Sequence, residues 1–331
     1  TAISGIPNSS WGSHARLHYS KIGPWNADGS RMALKNWVEP TLVILDGRTF
    51  APLNLPRFSP NDMRWHPNDP DVVFYTLGNT VRRRNVVNGE EIVVYTTSYS
   101  SITFGNGEGN VTDDGRYVIV TSGPGSWPDD VQDIRVLDLT NGNTEVVPFD
   151  GWIVDTCMLS ATGSYIVTIA GPNSSETNLV RCHSRANKTL LWSVANNTVS
   201  HIDVTIYDGT EYVIGTGLNP TFYPNTVAYR LSDGVWTAWT STGYASHTSA
   251  RNTKNRALGV FTSTYPNPPV DRPHASQGLR VRPGVLDVVV PATGWQGDIN
   301  DYWAQPHMAP SPMGDYVTWA KKVGSEVHAW V

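Results

Sequence analysis

The sequence predicts an all-β protein, a seven-bladed β-propeller in a single domain. One short phrase recurs along the 331 residues: a small or acidic residue and a glycine, followed by four or five apolar residues. Apolar runs bounded by Gly, Asp, Asn and Pro turns are typical of hairpins. Seven copies give a repeat of about 47 residues, which is the spacing of propeller blades. Clear copies begin at Asn26, Asp113, Ala161, Tyr207 and Ser311, and degenerate copies begin at His66 and Asn252.

The composition agrees with this fold class. The chain has 29 Gly, 23 Pro and 39% hydrophobic residues, which indicates a turn-rich globular protein with a large core. Its 13 Trp and 14 Tyr are numerous for the length. Most of these aromatic side chains are expected to fill the wedges between twisted blades.

The repeat also predicts where each blade lies. The last blade is short, and we expect residues 1–10 to close the ring beside its C-terminal strand, since closure removes free sheet edges. The predicted blades are 14–58, 61–100, 102–149, 152–195, 199–241, 245–293 and 303–331.

Charge and segment patterns exclude several classes of partner. A net charge of −5 and a pI near 6.0 offer no basic field for nucleic acid or anionic lipid. No stretch approaches the ~20 apolar residues of a membrane span.

Thr1 opens the chain without an initiator Met or a leader, which is expected of a processed, secreted (extracellular or periplasmic) protein. Glycosylation of such a protein is permitted by five sequons, at Asn8, Asn110, Asn173, Asn187 and Asn196.

Two cysteines, Cys157 and Cys182, fall on the first and third strands of the fourth predicted blade. Those strands lie about 9.5 Å apart, beyond the ~7 Å limit for a disulfide. Two buried thiols are therefore expected. The alternative is a disulfide across a bulge, which an oxidising compartment would favour.

Three successive predicted blades place a histidine at the entry of the first strand: His201, His247 and His307. Side chains at equivalent positions of adjacent blades converge, so these imidazoles are expected to meet in one funnel. Neutral imidazoles with a Gln or Asp oxygen suit a divalent ion such as Mn or Zn. The alternative is that each His only hydrogen-bonds a neighbouring strand.

The segments that carry these histidines resemble the seven-bladed polysaccharide lyases, the oligogalacturonate lyases and propeller-type ulvan lyases. The resemblance rests on residues 200–209, 246–252 and 305–315, which follow one another in the same order. It implies β-elimination on a uronic-acid polymer, in which a base removes the C5 proton and a cation neutralises the carboxylate.

The resemblance also implies roles for individual residues. The expected cofactor is a divalent metal (Mn, Zn or Ca), and the expected partner is an acidic polysaccharide or oligosaccharide. The alternative is a non-catalytic propeller that binds carbohydrate or self-associates through its N-terminal strand. The implied roles are catalytic for His201 and Arg251, substrate-binding for Arg256 and Glu108, and metal-binding for His247, Gln305 and His307.

Overall fold

A computed structural model describes most of the chain, with its side chains. The chain divides into two compact units, each described by itself: Asn54–Asn196 with Leu231–Gly234, and Thr1–Leu53 with Asn197–Arg230 and Val235–Val331. The described residues are 15–16, 20–36, 42–125, 131–149, 151–172, 179–195, 199–217, 225–241, 245–264, 274, 277–291, 307–323 and 326–331.

The prediction of an all-β protein is confirmed. The described residues form 26 strands and two single 3₁₀ turns, Gly105–Gly107 and Arg256–Leu258. No helix among them is long and apolar enough to cross a bilayer.

The unit built around residues 54–196 contains three four-stranded sheets, in which consecutive strands pair in antiparallel fashion. The first comprises β4 to β7: Asp62–Trp65, Val72–Leu77, Thr80–Asn85 and Glu91–Thr96. The second comprises β8 to β11: Ser101–Phe104, Tyr117–Gly123, Asp133–Asp138 and Thr144–Val146. The third comprises β12 to β15: Ile153–Leu159, Tyr165–Gly171, Leu179–Ser184 and Leu190–Ala195.

The other unit contains four antiparallel sheets, two with four strands and two with three. The four-stranded sheets are β16 to β19 (Ser200–Tyr207, Thr210–Thr216, Asn225–Arg230, Trp236–Ser241) and β20 to β23 (Ala245–Ser249, Val260–Thr264, Gly278–Arg282, Val285–Val290). The three-stranded sheets are β1 to β3 (Ala15–Arg16, Arg31–Asn36, Leu42–Asp46) and β24 to β26 (Ala309–Pro310, Val317–Val323, Glu326–Trp330).

The predicted number of seven blades is not confirmed: five of the described sheets have the four strands of a complete blade, and the other two have three. The sheet β1 to β3 has three strands, although residues 14–58 are long enough for four. Its outer edge is reduced to an isolated bridge between Leu45 and Pro52. Pro52 and Pro56 have no N–H to donate to a ladder, which explains why no fourth strand forms there. The predicted closure by residues 1–10 lies outside the described residues.

The turn glycines behave as the repeat predicts. Gly29, Gly115, Gly163 and Gly314 have φ between 72° and 82°. This left-handed backbone favours glycine because it has no Cβ. The hairpin turns that define the repeat therefore follow from local sequence.

Burial follows strand position within a sheet. The second strands β9 and β13 are buried along almost their whole length, whereas the outer strands expose apolar side chains such as Ile92, Val146 and Leu190. Second strands have neighbours on both edges and pack on both faces, so their sequences are continuous apolar runs. The core of each unit is built from these inner strands.

The expectation of two buried thiols is confirmed. Cys157 and Cys182 are both buried and are not joined in a disulfide. Strand β13 lies between them, since it pairs Thr168 with Cys157 and Val167 with Cys182. Burial raises the pKa of the Cys157 thiol, so it stays protonated and unreactive.

Candidate functional site

His201 lies at a bulge near the start of β16. The register of β16 with β17 shifts between Ser200, which pairs with Thr216, and Asp203, which pairs with Ile214. Gly215 is the residue opposite the bulge, and a Cβ there would lie 2.3 Å from the carbonyl oxygen of Ser200. The bulge gives His201 a φ of 50°, which is uncommon for a residue with a side chain. Bulges re-aim side chains in this way, often beside functional sites.

His247 is held by a second irregularity, in the first strand of the next sheet. The register of β20 with β21 shifts between Ala245 and His247. His247 is fully buried, and its carbonyl oxygen accepts a hydrogen bond of 3.0 Å from the Thr262 hydroxyl. His307 precedes β24 and is also buried. All three histidines thus sit at the entry of the first strand of a sheet.

The three imidazoles meet, as the repeat predicts. The ring centroids of His201 and His247 are 4.8 Å apart, and those of His247 and His307 are 4.3 Å apart. The rings therefore form a row with His247 in the centre. Residues that are 46 and 60 positions apart in sequence are in van der Waals contact here.

Burial keeps His201 and His247 uncharged at neutral pH. It is the largest cause that lowers the pKa of His201, to about 4, and the charges of Lys21 and His307 lower it further. Burial also holds the pKa of His247 well below its ordinary value, together with His307, His201 and Lys21. A neutral imidazole has a lone pair that can bind a metal or accept a proton.

Lys21 is a member of the site that sequence reasoning missed. Its side chain is only 2% exposed, and its charge acts on both His201 and His247. Lysine is almost never fully buried without a reason. It belongs to no strand and to no repeated phrase, so no periodic signal marks it, and only the tertiary structure brings it to the histidines.

Arg251 forms a buried ion pair with Asp203. Its Nη2 donates to Asp203 Oδ1 at 2.6 Å and its Nε donates to Asp203 Oδ2 at 3.1 Å. The same carboxylate accepts the backbone N–H groups of Val204 and Ala250. The fork of Arg251 thus binds a carboxylate of its own chain, whereas the sequence analysis predicted a catalytic role for Arg251. Its position secures the strand that carries His201.

The remaining predicted residues are placed differently. Arg256 opens a 3₁₀ turn and contacts the Thr205 hydroxyl at 3.4 Å, so it lies beside the strand of His201. Glu108 belongs to the other compact unit, directly after the turn Gly105–Gly107. Gln305 lies outside the described residues.

The turn before Glu108 is organised by Arg64, which the sequence analysis did not single out. Its guanidinium is buried and donates to the carbonyl oxygens of Met63 and Gly107 at 2.7 and 2.9 Å. It also pairs with Asp62. Arg64 thus hydrogen-bonds the carbonyl groups of the loop, and its role is structural.

The imidazole nitrogens of this row are ligands that suit a transition metal. Two imidazoles bound to one ion at about 2.1 Å have ring centroids roughly 4.6 to 5.3 Å apart. This is wider than the 4.3 Å between the rings of His247 and His307, so these rings would have to separate slightly to share an ion. Calcium takes oxygen ligands, and the row supplies none. The described residues contain no group of three His, Cys, Asp or Glu side chains in metal-binding geometry. A metal at His247 and His307 would therefore need a ligand such as Gln305.

Comparison with known proteins identifies the fold only. No protein-family model and no curated protein matches this chain. Among solved structures, an oligogalacturonate lyase from Vibrio parahaemolyticus has a TM-score of 0.68 at 13% identity, over 95% of this chain and 89% of that one. An oligogalacturonate lyase in complex with manganese has a TM-score of 0.69 at 15% identity, with the same two coverages, 95% and 89%. The β-propeller domain of Cps50 (Swd1) from Myceliophteria thermophila has a TM-score of 0.57 at 11% identity, over 96% of this chain and 98% of that one.

These likenesses show that the chain has a β-propeller fold. The propeller fold hosts many functions, so the chemistry must be argued from the site.

Proposed function

We propose that this protein is a propeller of the polysaccharide-lyase type, which cleaves a uronic-acid-containing glycan by β-elimination. The observation that carries the proposal is the row of His201, His247 and His307, in which burial keeps at least two imidazoles neutral. The fold similarity to two oligogalacturonate lyases supports it. An extracellular or periplasmic location and an acidic oligosaccharide partner belong to the same proposal.

His201 is the proposed base. It takes the proton from C5 of the uronate, the C5–H electron pair forms the C4=C5 double bond, and the C4–O bond breaks. The leaving oxygen then takes a proton from the imidazolium or from water. With a pKa of about 4, His201 by itself is a weak base. A bound uronate brings a carboxylate, which favours the imidazolium and so raises that pKa toward the working range.

The other residues of the site have supporting roles. Arg251 positions His201 through Asp203. Arg256 remains a proposed substrate-binding residue, whereas the substrate-binding role of Glu108, which belongs to the other compact unit, stays a prediction from the sequence. His247 and His307, with Gln305, would hold a divalent ion, whose positive charge would neutralise the uronate carboxylate.

The test is product formation. The protein is incubated with polygalacturonate and with other polyuronates, with added Mn²⁺ or Zn²⁺ in one arm and a chelator in the other. Ultraviolet absorbance then follows the unsaturated uronate. The proposal expects product from at least one polyuronate and none from the neutral polymer in which the carboxylates have been reduced. Absence of product from every polyuronate in both arms would remove the enzyme proposal.

A second candidate function is self-association without catalysis, and one observation favours it. The sheet β24 to β26 has three strands, whereas five other sheets have four, and β26 pairs only with β25 among the described strands. An edge of this kind accepts an added strand, and the N-terminal segment of a second copy would build a head-to-tail polymer. Light scattering of the full chain and of a variant that lacks residues 1–10 distinguishes the candidates. Only the polymer predicts large species that the deletion abolishes.

A further inference from the structure

A cavity of about 190 Å³ lies in the compact unit that contains the sheet β12 to β15. That sheet contributes Val154, Ala170 and Leu190 to its lining. The rest of the lining includes Ile134 of β10 and Phe149, in the segment after β11. Leu190 is 53% exposed, so the cavity reaches the surface and a small molecule can enter it.

The walls of this cavity are mainly apolar and aromatic. Ile134, Val154 and Ala170 belong to one cluster of buried hydrophobic residues, and Phe149 and Trp152 pack against that cluster. An apolar cavity of about 150 Å³ is large enough to bind benzene. This cavity therefore has room for one aromatic ring with a small substituent.

Three polar side chains also line the cavity, and they come from two neighbouring strands. Thr168 of β13 and Arg181 of β14 are opposite each other in the register, and His183 lies two residues further along β14. Residues two apart on a strand face the same side of the sheet, so Arg181 and His183 share the cavity face while the intervening Cys182 is buried on the other. The polar groups thus occupy one side of the cavity.

The guanidinium of Arg181 stacks on the indole of Trp152, with its Cζ atom 3.7 Å from the ring centroid. Stacking holds a guanidinium by its face, whereas its N–H groups point outward in its plane. A guanidinium has five N–H donors, so Arg181 can donate to a ligand in addition to its other contacts. The stack therefore fixes a hydrogen-bond donor in a cavity that is otherwise mostly apolar.

We infer that this cavity is a binding site for a small aromatic molecule, a single ring with one hydrogen-bond-accepting substituent. The ring packs on Phe149, Trp152 and Leu190. The substituent faces Arg181 and His183. A sugar of the same size fits less well, because its hydroxyl groups point outward around the whole ring and the apolar walls give most of them no partner.

The inference goes beyond the proposed function and does not rest on it. The residues that line the cavity belong to one compact unit, and the histidine row belongs to the other. Binding in the cavity is therefore measured without any substrate of the proposed reaction.

The test is a fluorine NMR titration of the full chain with 4-fluorobenzyl alcohol. The wild type should broaden and shift the fluorine signal, and benzyl alcohol should displace the probe whereas galacturonate should not. Ala170→Leu places a longer side chain in the cavity and should weaken binding at least tenfold. Leu190→Ala removes part of a wall and should weaken it about fivefold.

Leu191→Ala is the matched control for Leu190→Ala. Leu191 is the next residue of β15, it is 40% exposed, and it does not line the cavity, so this variant should bind the probe as the wild type does. Both leucines are exposed enough for the alanine variants to fold. They keep the test decisive if melting temperatures show that Ala170→Leu does not fold.

The role of Arg181 is tested with a second probe, 4-fluorotoluene, which has no hydrogen-bond acceptor. Arg181→Met should weaken binding of the alcohol about tenfold and leave binding of the toluene nearly unchanged. Equal effects on the two probes would remove the acceptor from the assigned ligand class.

Three results would overturn the site itself. They are a wild type that leaves the fluorine signal unchanged at millimolar probe, displacement of the probe by galacturonate, and wild-type binding by folded Ala170→Leu together with Leu190→Ala. Because none of these measurements involves turnover, failure of the proposed elimination leaves the inference intact, and failure of the inference leaves the proposed elimination intact.

Discussion

Asp203 and Arg251 form a bidentate ion pair with N–O distances of 2.6 and 3.1 Å, and Asp203 is fully buried. The pair links the strand of His201 to the segment that follows the strand of His247. Under the proposed function, Arg251 therefore positions the strand of His201, whereas the sequence analysis predicted a catalytic role for it.

Breaking this pair should be costly, because removal of one partner leaves the other charge buried. Arg251→Met is expected to lower the free energy of unfolding by about 3–5 kcal/mol. Asp203→Asn combined with Arg251→Met should cost clearly less than the sum of the two single changes. Urea unfolding of the four proteins gives the coupling energy.

The matched control for this cycle is the more exposed pair Arg280–Asp287, with an N–O distance of 2.8 Å. Its coupling should be about 1 kcal/mol or less. Equal coupling in the two pairs would contradict the positioning role of Arg251.

The stability of the protein should fall on acidification below pH 6.5. His201 has a folded-state pKa of about 4, against about 6.5 when unfolded. Between these values the unfolded chain binds the proton and the folded chain does not, so stability decreases as the pH falls through this window. The full difference corresponds to roughly 3 kcal/mol for this group. His247 acts in the same direction.

This pH effect is measured as the difference between the wild type and His201→Asn in chelator, from pH 7.5 to 4. Asparagine tolerates the positive φ of this position, so the backbone is preserved. The variant should lose less stability on acidification than the wild type. Parallel curves would mean that His201 titrates normally.

Two glycines in the loop after β8, Gly105 and Gly107, differ in how closely other atoms approach them, so one serves as the control for the other. A Cβ on Gly105 would lie 1.9 Å from the carbonyl oxygen of Cys157, whereas a Cβ on Gly107 meets no atom within 4 Å. Both residues have positive φ, 54° and 91°. Gly105→Ala should therefore lower the melting temperature severely or prevent folding, and Gly107→Ala should cost about 1 kcal/mol. Similar melting temperatures for the two variants would contradict the close approach.

The metal assignment predicts that protein purified without chelator holds about one divalent ion per chain. His247→Gln should reduce that content sharply, because each ligand contributes strongly to affinity in a site with few ligands. Elemental analysis of the wild type, His247→Gln and the control His274→Gln checks this. A metal-free wild type whose melting temperature is unchanged by added Mn²⁺ or Zn²⁺ would remove the metal from the account.

The hairpin turns and the positions of the three histidines could be predicted from the sequence. The turn glycines Gly115 and Gly163 predict hairpins because their positive φ excludes most other residues, and the equivalent positions of His201, His247 and His307 predict their convergence. The repeat does not predict the reduced outer edge of the sheet β1 to β3, because the effect of Pro52 and Pro56 on strand pairing is independent of the turn pattern.

The electrostatic partners could not be predicted from sequence. Lys21 precedes His201 by 180 residues, and Arg251 follows Asp203 by 48 residues. No pattern in these segments predicts that Lys21 acts on His201 or that Arg251 pairs with Asp203. Such pairings depend on how sheets pack, which a one-dimensional pattern does not contain. The same limit explains why the sequence predicts a catalytic role for Arg251, although its guanidinium is paired with Asp203.

The most direct test of the proposed elimination is the initial rate of unsaturated product from a polyuronate by the wild type and by His201→Asn. His274→Asn is the control, because His274 also has a positive φ, 65°, and its Nδ1 contacts Gln277. Loss of a general base costs about 10²–10⁴ in rate, so His201→Asn should fall by that factor while it stays folded, and His274→Asn should keep the wild-type rate. A folded His201→Asn with the wild-type rate would contradict the central claim that this imidazole takes the C5 proton.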